Sequence, residues 1–350
     1  MEGNSIRFGL TFDDVLLEPR KTNVLRHDAS LKTQLSKNIA LDVPLIAAAS
    51  DTVSEARFAI ALAQAGGIAV LHRNCSVEEH VAMVKEVKAA GVLVAAAVGP
   101  TDVERALALD EAGADAISID CAHAHAPGII DAAKKMKAGI RGDLIVGNIA
   151  TKEAAKDFIG IADALKVGIG AGSICTTRIV SGVGVPQLTA ILDVVSIASR
   201  KGIPVIADGG IRASGDIVKA LAAGASSVML GSLFAGVDEA PGDIISVEGK
   251  NYKRYRGMGS AEALSKRHAV DRYSQEQGNH TPEGVTGMVP AKGPVSGVAE
   301  QLSNGIRSGM GYVGAATIPD IHTHARFIRI TPAGLSESHP HSLFQAPPSS

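Results

Sequence analysis

Eight short apolar runs, separated by stretches whose apolar residues recur at helical spacing, constrain this chain more than any other feature. The runs are PLIAAA (44–49), GIAVL (67–71), VLVAAAVG (92–99), AISIDC (116–121), DLIVGNI (143–149), ALKVGIG (164–170), PVIADGG (204–210) and SVMLGS (227–232). None alternates strictly between apolar and polar residues, which is the pattern of strands buried on both faces of a parallel sheet. Segments between them, such as VEEHVAMVKEVKAA and DVERALALDEAG, place apolar residues three and four apart, as amphipathic helices do. Strand and helix in alternation predict an α/β fold. Eight such units make a (β/α)8 TIM barrel the economical architecture, with an open doubly wound sheet as the alternative. A chain of 350 residues fits one catalytic barrel domain over 1–350.

A barrel of this kind draws its functional residues from the C-terminal ends of its strands, and the ends of strands seven and eight commonly hold a phosphate. Here strand seven ends in Asp208-Gly209-Gly210 and strand eight in Gly231-Ser232. The glycines let an anion approach backbone amides, and Ser232 adds a hydroxyl donor. Asp208 would repel a phosphate at contact and suits a pair of sugar hydroxyls, so the two features together suggest a nucleotide. Strand six runs into Gly168-Ile169-Gly170-Ala171-Gly172-Ser173-Ile174-Cys175-Thr176-Thr177. A thiol on such a rim loop, near exposed amides that favour the thiolate, reads as a nucleophile. Cys75 and Cys121 read as small buried residues, with Cys121 at a strand end. The glycines also free carbonyl oxygens that could bind a hard monovalent cation.

Other functions are disfavoured by what the chain carries. A net charge of -2 without a basic stripe gives no field for nucleic acid. Three separated cysteines with no CxxC suggest neither a disulfide framework nor zinc, and fit a reducing cytoplasm. The opening MEGNSIRFGLTFDDVLLEP lacks the pattern of a signal peptide, and no stretch approaches 18 uncharged apolar residues, so no membrane partner is expected. Residues 1–43 read as a lead-in. Residues 233–312 form a long insertion after strand eight, with weak periodicity over 266–294 that reads as a mobile loop of the lid type. From Ser336 the chain reads as a loose tail, about 336–350. The histidine-rich HAHAP and HTHA fall at the cofactor rim and on a late helix, not in one metal centre.

Taken together, TFDDVLLEP, GIGAGSICTTRIVSGVGVPQ, IADGGIRASGDIVKALAAGA, YRGMGS, DRY, PEG and AGLSESH resemble the IMP dehydrogenase family over nearly the whole length. The resemblance implies a barrel enzyme, usually a homotetramer, that oxidises IMP to xanthosine monophosphate with NAD. It makes Cys175 the nucleophile toward C2 of hypoxanthine. Hydrolysis of the resulting thioimidate falls to Arg272 and Tyr273 on a mobile flap of about 262–294, assisted by Thr177. The IMP site would comprise Ser173, Asp208, Gly209, Gly210, Gly231, Ser232, Tyr255, Arg256, Gly257, Met258, Gly259 and Glu283. NAD would meet Asp120, Asn148, Gly168 and Gly170. Potassium (K+) would sit on carbonyls of Gly170, Gly172 and Cys175, completed by Glu337, Ser338 and His339 of a neighbouring subunit.

Departures from the family pattern are visible too. The CBS modules usual after the second strand and its helix are missing, since VKEVKAAGVLVAAAVG runs straight through that junction. Ser50 stands where a methionine is common, and Ala124 replaces a glycine near the nicotinamide. The sister reading is GMP reductase, which deaminates GMP with NADPH and has no use for the arginine-tyrosine pair. A non-catalytic purine-nucleotide-binding barrel is a third.

Overall fold

In a computed structural model of the chain, residues 6–265 and 281–341 are described. Eight parallel strands close into a barrel: β1 (Leu45–Ala47), β2 (Ile68–Leu71), β3 (Ala95–Val98), β4 (Ala116–Asp120), β5 (Asp143–Ile149), β6 (Ala164–Val167), β7 (Val205–Asp208) and β8 (Ser227–Leu230). Each falls inside one of the eight apolar runs. Pairing of Val228 with Leu45 and of Leu230 with Ala47 joins the last strand to the first, so the open-sheet alternative is not realised.

Residue parity explains why these runs can be apolar throughout. Ile46, Ile68, Val70, Ala95, Ala97, Ala116, Ile145, Ala164, Ile206 and Met229 pack together in one cluster with Leu35, Ile39 and Leu41. Those last three come from the hairpin of Thr33–Gln34 with Ala40–Leu41. The alternate residues, such as Leu45, Ala47, Leu71, Ile117, Ile119, Leu165 and Leu230, face the helical layer in a separate cluster. Both faces of the strands are therefore buried along most of their length, and a strand with two buried faces needs no polar alternation.

The helices are α1 (Ala56–Gln64), α2 (Val77–Ala89), α3 (Val103–Glu111), α4 (Pro127–Gly139), α5 (Lys152–Phe158), α6 (Gln187–Ala198), α7 (Ser214–Ala222) and α8 (Val295–Val313). Their starts are written locally. Ser76 accepts the Glu79 amide at 3.1 Å while Glu79 reaches back to the Ser76 amide at 2.8 Å, a capping box that sets the first turn of α2. Asp102 and Thr151 cap α3 and α5 in the simpler way.

The span 233–312, read as an insertion after strand eight, holds regular elements. It holds a three-stranded antiparallel arm, β9 (Ile244–Val247), β10 (Lys250–Arg256) and β11 (Thr286–Pro290), followed by α8. Helix α8 packs between α7 and α1 and completes the ring. Its Val295, Val298, Ala299, Leu302, Ile306, Met310 and Val313 keep helical spacing despite four glycines, and all are buried. Within the expected flap, Ala261–Leu264 is helical and Thr286–Pro290 is strand, while 266–280 lie outside the described residues. The expected tail begins inside a short helix, Pro332–Glu337, which Thr331 caps; 342–350 lie outside the described residues. The lead-in is anchored as well, since Val15–Leu17 pairs antiparallel with Phe327–Arg329. No described helix is long and apolar enough to cross a membrane.

Candidate active site

The C-terminal strand ends and the arm border one open cavity. Its walls come from the turn after β1 (Ala48, Ala49, Ser50), from Asp120 and Asn148, from the loop Gly168–Cys175, and from Asp208–Ile211. Met229, Gly231 and Ser232 close the β8 side, and Tyr255–Gly259 with Glu283 and Gly284 form the roof.

Backbone hydrogen bonds join three segments of the roof that are remote in sequence. The Thr176 amide donates to the Glu283 carbonyl at 3.0 Å, and the Val285 amide to the Ile174 carbonyl at 3.0 Å. Gly257 donates to Val285 and Glu283 to Gly259, each at 3.0 Å. The cysteine loop, the Gly257–Met258–Gly259 turn and the Glu283–Val285 segment thus form one small platform. Cys175 stands exposed on it, and a Cβ on Gly172 would lie 3.0 Å from its Sγ.

Two of these glycines allow close approaches. Gly168 has φ +148°, and a Cβ there would come within 1.9 Å of the Asp208 carbonyl oxygen. At Gly231 a Cβ would lie 2.3 Å from the Tyr255 hydroxyl, so the phenol rests directly on that backbone. Burial, with Cys175 and Asp208 nearby, pushes the Tyr255 phenol well up, which keeps it a neutral hydroxyl.

The floor is polar and ionic. Lys166 projects from β6 into the barrel, where its Nζ lies 3.3 Å from Asp120 Oδ1 and 3.4 Å from Asp208 Oδ2, and donates to Asn148 Oδ1. Asn148 in turn donates to the Gly168 carbonyl at 2.6 Å and to Asp208 Oδ2 at 2.9 Å. Gln187 holds the carbonyls of Val167 and Asp208 at 2.9 and 3.1 Å. Neither Lys166 nor Gln187 was among the residues expected from sequence.

Most of the expected set meets here: Ser173, Asp208, Gly209, Gly210, Gly231, Ser232, Tyr255, Gly257, Met258, Gly259, Glu283, Asp120, Asn148, Gly168, Gly170, Gly172 and Cys175 all line the cavity. Arg256 lines it too, but its guanidinium turns away. It pairs with both oxygens of Asp51, with Nε to Oδ1 at 3.0 Å, and with Glu262 at 2.9 Å. Thr177 is buried at the head of the short helix Thr177–Val180, off the cavity wall. Glu337, Ser338 and His339 are exposed, at the end of the helix that packs on the 3-10 turn Phe12–Asp14. Arg272 and Tyr273 lie outside the described residues. Ser50 uses its hydroxyl within the protein, 3.1 Å from Thr52 Oγ1 and 3.4 Å from the Arg256 carbonyl. Ala124 is fully buried, its amide on the Asn148 carbonyl. Cys121 is buried against the Gly147 carbonyl, and burial pushes the Cys75 thiol up to about 11, so both fit packing roles.

Sequence comparison decides the lineage. The family described as IMP dehydrogenase / GMP reductase domain matches residues 9–341. The chain belongs to the IMP dehydrogenase / GMP reductase family. Among its relatives, the inosine-5'-monophosphate dehydrogenase of Borreliella burgdorferi is 44% identical over 393 residues, covering 96% of this chain and 97% of the relative. That of Cryptosporidium parvum is 44% identical over 390 residues, with 98% and 97% covered. That of Halobacterium salinarum is 39% identical over 466 residues, with 95% and 93% covered. An alignment of 466 positions exceeds the 350 residues here, so the Halobacterium salinarum relative carries internal segments that this chain lacks. In this chain α2 passes into β3 through residues 90–94 alone.

Proposed function

We propose that this chain oxidises IMP to xanthosine monophosphate with NAD, a step of guanine nucleotide biosynthesis, through a covalent thioimidate on Cys175. The observation that carries the proposal is the exposed Cys175, fixed by the Glu283 segment at the mouth of a cavity whose floor offers Asp208 and whose β7 and β8 ends offer glycines. Phosphate would lie against Gly209, Gly210, Gly231 and Ser232, ribose against Asp208, and the base between Cys175 and the Met258 turn. The sulfur adds to C2, the C2 hydrogen departs as hydride, and the adduct remains on the enzyme. Water then adds at C2 and the thiol leaves, which gives the product its new carbonyl. NAD, when bound, supplies the hydride acceptor. Its expected residues, Asp120, Asn148, Gly168 and Gly170, share the cavity with Cys175.

Adduct hydrolysis is assigned to Arg272 and Tyr273, with Thr177 two residues beyond the nucleophile. Potassium fits the hard carbonyl donors of the turn Gly170–Cys175, which the Cys175 amide closes on Gly172 at 3.1 Å. Glu337, Ser338 and His339, exposed at the end of their helix, would complete the site from a neighbouring copy in a homotetramer. The direct passage from α2 to β3 supports a form without CBS modules.

The test is NADH formation from IMP and NAD in potassium buffer. Turnover beyond one equivalent in wild type is expected. In Arg272→Ala a burst near one equivalent should precede a steady rate slower by about 10²-fold, the scale of a lost general base. No NADH from IMP, with NADPH consumed by GMP, would leave the reductase reading instead; IMP binding with no turnover would leave the binding barrel. A further expectation concerns Gly231→Ala. Displacing the Tyr255 hydroxyl should weaken IMP binding about tenfold, the scale of one hydrogen bond near a charged group, with little change in the melting temperature. Calorimetric titration checks it, and unchanged affinity would remove Tyr255 from the site.

A further inference from the structure

Resting on the purine-nucleotide reading above, we infer that Lys166 is a positioning residue for the sugar of the substrate. It holds one oxygen of Asp208 from behind so that the other faces the ligand.

The geometry is specific. Lys166 is almost wholly buried, its side chain 2% exposed, and it stands on the barrel-facing parity of β6 with Ala164. Small neighbours on that parity, Ala95, Ala97, Ala116 and Ala164, leave room for a long side chain where a TIM barrel normally packs branched residues. An ammonium has three donors, and three acceptors from three different strands surround this one: Asp120 of β4, Asn148 of β5 and Asp208 of β7. Because a lysine only donates, Asn148 must present its oxygen to Nζ. Its amide nitrogen is then directed at the Gly168 carbonyl and at Asp208 Oδ2. Asp208 Oδ2 is therefore held twice from below.

Asp208 Oδ1 has no protein hydrogen bond among the described residues, and the Asp208 side chain is 21% exposed toward the cavity. A carboxylate oriented in this way offers a fixed acceptor to a diol. The same lysine also offsets the repulsion between two carboxylates that share the floor. Removing it would take away one of the two groups that hold Asp208 Oδ2, so the carboxylate would be free to rotate, which spoils it as a fixed hydroxyl acceptor.

The discriminating quantity is preference for the ribose hydroxyls, measured as the Kd of 2′,3′-dideoxy-IMP divided by that of IMP, by calorimetry without NAD. Wild type should show a ratio of about tenfold or more, the scale of a charge-assisted hydrogen bond. Lys166→Met should bring the ratio near one. Loss of packing alone would weaken both ligands equally and leave the ratio unchanged, which overturns the inference. Since a buried cation is being deleted, Lys166→Met/Asp120→Asn restores the local charge in case the single variant does not fold. It should show the same collapsed ratio, and a retained preference there also overturns the inference. Failure of wild type to bind IMP would instead overturn the purine reading, and this inference with it.

Discussion

Replacing Cys175 by alanine is expected to lower NADH formation from IMP by at least about 10⁴-fold while leaving the fold and IMP affinity nearly intact. The magnitude follows from losing a covalent nucleophile, whose removal elsewhere costs as much as removing the whole group of residues that serves it. The fold should be indifferent, because Cys175 is exposed and the platform is held by backbone bonds of its neighbours, Ile174 and Thr176. Affinity should persist because ribose and phosphate are bound by other residues. Mass spectrometry of denatured enzyme quenched during turnover should find a nucleotide adduct on wild type and none on the variant. A variant that kept more than about one-hundredth of the wild-type rate would exclude covalent catalysis by this thiol.

The largest expected stability effect lies in the roof. Arg256→Met should destabilise the protein by about 3 kcal/mol, because it leaves the Asp51 carboxylate, 4% exposed, with its main counter-charge removed. Glu262 is more exposed and loses less. Burial pushes the Asp51 carboxyl up, but hydrogen bonds from Arg256 and Asn74 outweigh it and hold the group below its ordinary 3.8. A carboxyl with a depressed folded pKa stabilises the protein above the unfolded value and loses that contribution as pH falls through the folded one. Wild type and variant should therefore differ most above about pH 4 and converge in stronger acid. Arg256 also ties the turn after β1 to the strand carrying Tyr255, so the variant should bind IMP more weakly. Denaturant unfolding at neutral and acid pH measures the first effect. A loss under about 1 kcal/mol would mean that the pair contributes little.

The barrel was legible because strands buried on both faces leave an unmistakable trace, and each of the eight runs became one strand. The glycine ends of β7 and β8 and the thiol on the β6 loop were legible for a similar reason, since special backbone and reactive side chains are rare elsewhere. Helix α8 was not read, because its glycines and serines dilute an apolar spacing that is nonetheless regular from Val295 to Val313. Lys166 was hidden inside the run ALKV. Parity alone marked it, with Ala164 and Lys166 on one face and Leu165 and Val167 on the other. Arg256 shows the converse limit: sequence placed it at the cavity, but the direction of its guanidinium depends on Asp51, which is remote in the chain.

Closure of the barrel between Leu45 and Val228 also sets the order in which the molecule can be built. The first strand is synthesised long before its second neighbour exists, and the helix that shields this seam, α8, comes later still. A growing chain therefore carries an incomplete sheet with two open edges and an uncovered apolar flank until most of it has left the ribosome. Long-range closure of this kind is slow, and unpaired edges invite association with other chains. The seam cannot close until β8 has been made, and it is not covered until α8 follows.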